Sequence, residues 1–420
     1  MHANLKQVGS PRAAYTGCDC RLPPASHFLG KSFSKASTKV ARVQNPRLQC
    51  TISLNYQKRR GLGVIAESTS QDTQSAVSSR PPVDLKETLK EIDQNLNAAM
   101  LSLSGGEDTV DGNEIDKKES AEKRAVDALN LLKSEGHFPA FGGARQIPKA
   151  EYSLADLRLN KIEPLQLLSP TDSTLTGVRQ TLTTVSAIAT VGAAFAFNLG
   201  AGDFFRALFG LVTFKTVDQV LNAGGAEALL LDSCGRAISP EYRERVANHE
   251  AGHFLCAYLL GILPKGYTLS SWEALQKYGA LNVQAGCLFC DEAMQMEVAT
   301  GKIASRSVDR FSCVALAGVA VEYLKFEQAE GGLSDVQQLD SFMQGLGFTQ
   351  KKADGQVRWA VLNTISLLRE FDAAHTQLVA AMSKGASVGE CLVTIEESIA
   401  GMEYDFVSNY TADEESEVKA

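Results

Sequence analysis

The chain has 420 residues, and its 41 Lys and Arg against 49 Asp and Glu give a formal net charge of −8. A charge of that sign does not suit a polyanionic ligand, so nucleic acid is not an expected partner. Nine scattered Cys lack the dense, even spacing of a secreted disulfide scaffold and point to a reducing compartment.

Residues 1–66 differ in composition from the rest. Asp19 is the only acidic residue before Glu67, while Lys6, Arg12, Arg21, Lys31, Arg42 and others recur among Ser and Thr. That basic, acid-poor, Ser-rich pattern predicts a disordered organelle transit peptide; the alternative is a basic tail carrying no address. Composition does not separate chloroplast from mitochondrion.

Residues 67–178 read as a linker with two helices and an irregular connector. Leu85, Leu89, Ile92, Leu96 and Met100 repeat at helical spacing over 84–103, as do Ala121, Ala125, Leu129 and Leu132 over 116–134. The expectation is a pair of solvated helices with a stripe facing a partner. Turn signals from Gly136 to Pro170 mark the connector.

Residues 179–232 form an apolar segment. No charged residue occurs from Gln180 to Gly202, a length that fits the roughly 20 residues of a bilayer span. The content is weak, because Thr, Ala and Gly dominate. A second run, Phe204 to Leu231, carries Arg206, Lys215, Asp218 and Glu227. The segment is a candidate membrane anchor, with two buried core helices as the alternative.

Residues 233–405 hold the chemistry, and residues 406–420 are an acidic tail. Asn248-His249-Glu250-Ala251-Gly252-His253 contains H-E-x-x-H and two of the six His in the chain. Two His four apart project from one face of a helix and can hold a single Zn²⁺, with the Glu between them facing the open position as a base. Chance matches to this pattern number on the order of 0.01 in a chain of this length. Ser239 suits an N-cap and Pro240 the first helical position, while Gly261 and Pro264 can stop the helix.

Downstream, Tyr267-Thr268-Leu269 and Leu281-Asn282-Val283 are strand candidates, placed where zincins set a strand beside the metal helix. The lone pair Cys287 and Cys290 reads as incidental thiols. A long helix over 308–327 follows, and Ser334 with Gln337 predicts a capping box opening the next one. Trp359 and His375 sit in later helices and read as packing or surface residues, not as ligands.

A catalytic zinc keeps three protein ligands. Glu273, twenty positions after His253 as in thermolysin-like zincins, competes for the third place with Glu322 and Asp335. No third His follows nearby, so the metzincin pattern is absent.

The residues His249 to His253, Leu316 to Tyr323 (LAGVAVEY) and Gly331 to Leu339 (GGLSDVQQL) together resemble the peptidase domain of the FtsH zinc metalloproteases. The resemblance implies a mainly α, helical zincin-like domain with a small strand element. It also implies His249, His253 and Asp335 as zinc ligands, Glu250 as catalytic base and a structural Glu322. The stretches HEAGHFL, GILPKGYTLSS, LGFTQKKAD, QVRW and AMSKG are similar to a plant and algal group of FtsH-like proteins that lack the ATPase module, some described as stress-regulated. That likeness implies a chloroplast protein associated with thylakoid or envelope membranes.

No G-x-x-x-x-G-K-[ST] occurs, so no phosphate-cradling loop is visible and any motor would come from a partner ATPase or an FtsH-family complex. The leading expectation is a zinc metalloendopeptidase acting on protein and peptide substrates. The alternative is a non-proteolytic, zinc-binding scaffold or assembly factor. An intramembrane protease is disfavoured, because Glu241, Arg243, Glu244 and Arg245 open the HExxH helix.

Overall fold

The computed structural model describes residues 84–101, 112–170, 173–197, 200–222, 224–279 and 285–402, together with 404 and 406. The transit-peptide and tail readings fall outside these residues. The described chain is mainly helical, as expected, with one two-stranded sheet.

Helices α1 (Leu85–Leu101) and α2 (Gly112–Ser134) pack against each other. Their stripes do not await a separate partner. Ile92, Leu96, Ala125, Leu129 and Leu132 belong to the same hydrophobic core as the HExxH helix, because the two helices also meet the strands and the last helix. The connector is ordered as well. Gly142 N–H donates to the Tyr258 carbonyl at 3.0 Å and Ala144 N–H to the Leu259 carbonyl at 3.4 Å. Both carbonyls lie at a helix end, where no intrahelical donor remains. Short helices α3 (Leu154–Leu159) and α4 (Pro164–Leu168) complete it.

Next come α5 (Ser173–Ala196), α6 (Ala201–Leu221) and α7 (Gly225–Ile238). Among the described residues no helix is long and apolar enough to cross a membrane. The spanning expectation fails for a composition reason: Thr, Ser, Ala and Gly dilute α5, and Asp203, Arg206, Lys215 and Asp218 interrupt α6.

Helix α8 (Pro240–Leu259) starts and stops as its local signals dictate. The Ser239 side chain accepts from Tyr242 N–H, Pro240 occupies the first turn, and Gly261 follows with φ +80°. Strand β1 (Leu263–Thr268) pairs antiparallel with β2 (Gly286–Cys290), with an irregularity between Pro264 and Gly266. Tyr267 and Thr268 thus lie in a strand. Residues 281–283 fall outside the described set, and the second strand is the one carrying Cys287 and Cys290. Between the strands lies α9 (Ser271–Tyr278), and α10 (Glu292–Thr300) follows β2.

Helix α11 (Ser305–Phe326) crosses α8 closely and is the second central helix. A Cβ on Gly252 would sit 2.6 Å from Val321 Cγ2 and 3.0 Å from the Ala317 carbonyl, so the crossing distance requires glycine there. Helices α12 (Leu333–Gly345), α13 (Gln350–Glu370), α14 (Asp372–Ser383) and α15 (Val388–Ile399) close the bundle. The expected Ser334–Gln337 capping box does not form. Helix α12 is capped by Gly332, whose φ of +77° lets the chain enter from the preceding turn without a side-chain cap. Trp359 and His375 are buried packing residues, donating to the carbonyls of Ile147 and Asn248 at 3.1 Å and 3.0 Å.

Gly252→Ala is expected to overpack the α8–α11 crossing and destabilise the fold by about 1–3 kcal/mol. The expected reading is a lower urea midpoint at unchanged slope.

Candidate metal centre

Helix α8 presents His249 and His253 from one face, with ring centroids 4.8 Å apart. Helix α12 delivers Asp335 in its first turn to the same point. Asp335 Oδ2 lies 3.1 Å from His249 Nε2 and 3.4 Å from His253 Nε2, and the two Nε2 atoms are 3.1 Å apart. A tetrahedral ion with bonds of roughly 2.0–2.1 Å needs ligand atoms about 3.3–3.4 Å apart, so this triangle matches one face of such a site. All three residues, and Glu250, are 3% exposed or less. Among the described residues this is the one group of three or more His, Cys, Asp or Glu that could hold a metal ion.

The ring tautomers are set from behind, by α11. His253 Nδ1–H donates to the Val314 carbonyl at 2.7 Å, and His249 Nδ1 meets Glu322 Oε1 at 2.7 Å. Both Nε2 atoms are thereby left to face Asp335. The other Glu322 oxygen accepts from the N–H groups of Glu330 at 2.8 Å and Gly331 at 3.1 Å, and Arg245 Nη1 lies 3.7 Å away. Gly318 of α11 supports the ring by having no side chain, since a Cβ there would overlap the His249 imidazole.

Burial alone would push His249 down, but hydrogen bonds and charge from Asp335 and Glu322 outweigh it and hold the imidazole well above its ordinary range. Burial would likewise raise Asp335 and Glu322. Hydrogen bonds to His249 and His253 instead hold Asp335 below the usual carboxylate range, and His249 with the turn amides does the same for Glu322. Glu250 is the opposite case. Burial raises its carboxyl, and the facing His249 and His253 offset this only in part. Two buried oxygens, Glu250 Oε2 and Asp335 Oδ1, have no hydrogen-bond partner. An orphaned buried oxygen costs about 1–3 kcal/mol, which an ion or water bound here would relieve.

The three candidate third ligands therefore separate. Asp335 joins the His pair. Glu322 stands one bond further out and orients His249. Glu273 is elsewhere, accepting from Leu269 N–H at 2.9 Å near the start of α9. Cys287 and Cys290 are free thiols outside the metal group, and the Cys287 S–H donates to the Glu250 carbonyl at 3.2 Å. The orienting carbonyl of Val314 and the clearance at Gly318 have no sequence signal of their own. The Gly331-Gly332 pair ahead of Asp335 is the signal that the chain turns sharply there.

Comparison of the chain with family models, curated proteins and solved structures gives no match in any of the three.

Two outcomes are expected from this geometry. Glu322→Gln should weaken metal binding about 10–100-fold in a chelator competition while leaving the three ligands in place. Wild-type affinity in that variant would remove Glu322 from the orienting role. Metal affinity should also rise with pH, because the raised proton affinity of His249 in the metal-free cluster makes a proton compete with the ion for that ring, and binding must release it. Titration across neutral pH in weakly buffered solution should show that proton release directly.

Proposed function

We propose that the chain is a zinc metalloendopeptidase of the FtsH type, with a zincin-like fold around α8, acting in the chloroplast. The observation that carries the reading is the convergence of His249, His253 and Asp335, with the orphaned Glu250 Oε2 beside them. Two imidazoles and a carboxylate suit Zn²⁺ and leave the fourth position of a catalytic site free.

When bound, zinc supplies Lewis acidity at that open position. Glu250 accepts the proton of the attacking water and returns it to the leaving amine. Its raised carboxyl brings its proton affinity closer to that of the groups it exchanges with. Glu322 and Val314 keep both imidazoles in the ligand tautomer throughout. With no phosphate-cradling loop in the sequence, the substrates are loose or unfolded segments, or chains fed by a partner ATPase.

A second reading has its own observation. The four side chains are enclosed, as in a structural metal site, which favours a zinc-bearing scaffold or assembly factor.

Glu250→Gln separates the two readings. The variant is expected to keep near-equimolar zinc and to lose cleavage of an unfolded, fluorescently labelled protein. Wild-type protein that holds zinc and leaves that substrate intact, with and without candidate ATPases, supports the scaffold. A Glu250→Gln variant that cleaves normally means Glu250 is not the base.

A further inference from the structure

Helices α12 and α13 leave a groove between them, with α11 beneath. Leu316, Leu339 and Met343 form its buried floor, Val336 and Val357 its half-buried sides, and its volume is about 230 Å³. That falls below the roughly 300–1,000 Å³ of a site that encloses a small molecule. A single large side chain can enter, with the rest of the ligand left outside. Protein segments dock in this way, an anchor in the pocket and the backbone over the rim. Met343 is flexible enough to fit itself around such an anchor. The apolar strip also continues beyond the groove. Leu333 is 46% exposed and shares a face of α12 with Val336 and Gln337, three and four positions on.

The charge around this groove has one sign. Asp340 on α12 and Asp354 on α13 line it, and no Lys or Arg does. Among the described residues neither carboxylate forms an ion pair. Each accepts instead from a Gln one turn away on its own helix, Asp340 from Gln344 at 2.7 Å and Asp354 from Gln350 at 2.8 Å. The lysines next to Asp354 in sequence are engaged elsewhere, Lys351 with Glu151 at 3.7 Å and Lys352 over the Phe348 ring at 4.0 Å. Two uncompensated carboxylates beside an apolar pocket favour an apolar side chain with cations next to it, and repel one flanked by acids.

We propose that this groove docks a protein segment carrying one large apolar residue between Lys or Arg residues, and that occupancy steadies the helix that delivers Asp335. The groove and the metal centre are built on the same two helices. Val336 directly follows Asp335 on α12. Leu316 lies on α11 between Val314, whose carbonyl holds His253, and Gly318, which clears the His249 ring. A side chain seated on Leu316 and Val336 adds contacts to both helices, so the metal is held longer when the groove is filled. The docking stands whether the metal centre is catalytic or structural.

The test uses the full, zinc-loaded chain and an end-blocked pentapeptide, Lys-Ala-X-Ala-Lys, in which X is the photoreactive p-benzoylphenylalanine. Mass spectrometry after irradiation is expected to place the adduct on Met343 or Leu339. The counterpart peptide with Glu in place of both Lys should label at least about tenfold less. The double variant Asp340→Lys with Asp354→Lys should reverse that preference, and Asp340→Lys alone, at an exposed position, should already narrow it. Helicity and zinc content show that each variant is folded. Saturating Lys peptide should also slow the loss of zinc to a chelator. Adducts spread over the surface, equal labelling by the two peptides, or a preference unchanged by charge reversal overturns the docking. Labelling at Met343 with unchanged zinc loss overturns the coupling to Asp335. Labelling is read without any cleavage, so a chain that takes the peptide and hydrolyses nothing fails as a peptidase while the docking holds.

Discussion

The centre depends on one buried carboxylate. Glu322 lies between His249 Nδ1 on one oxygen and the Glu330 and Gly331 amides on the other. It fixes a ring on α8, sits on α11, and anchors the turn that delivers Asp335 on α12. A buried carboxylate carries a desolvation penalty of several kcal/mol, and only a full set of partners offsets it. Glu322 has that set, with Arg245 nearby to balance the charge. One carboxylate thus ties the His249 ring to the turn that carries Asp335.

The second constraint is distance between α8 and α11. The two His can be oriented by α11 only if its backbone comes close enough for the Val314 carbonyl to reach His253 at 2.7 Å. Gly252 on one helix and Gly318 on the other remove the side chains that would hold the helices apart. The H-E-A-G-H spelling thus serves two purposes. Its polar residues face the metal position, and its small residues set the crossing that makes those polar residues useful.

What the sequence revealed follows the range of the forces involved. The α8 helix was legible to its ends because Ser239, Pro240 and Gly261 act within a turn of themselves. The third candidate ligand was legible only through the resemblance that singles out Asp335, since it meets His253 through space across more than eighty residues, and Glu273 or Glu322 fit equally on spacing alone. A positive φ at Gly332 pre-empted the capping role expected of Ser334, a backbone choice that Ser-x-x-Gln cannot report. The stripes on α1 and α2 were read correctly as sticky, but periodicity does not say what covers them. Here it is the rest of the same chain, through Ile92, Leu96, Leu129 and Leu132.

Enclosure and basicity at Glu250 have a common cause. The burial that hides the cluster is also what raises the Glu250 carboxyl. Admitting bulk water would lower that proton affinity and strengthen the screening of every charge in the site. For a peptidase built this way, a substrate segment must enter while displacing the atoms that cover Glu250, among them the strand whose Cys287 donates to its carbonyl. A peptide laid in the place of that covering would restore the dry environment it disturbed. The base would then be strongest when the site is full, and free water alone would be a poor reactant there.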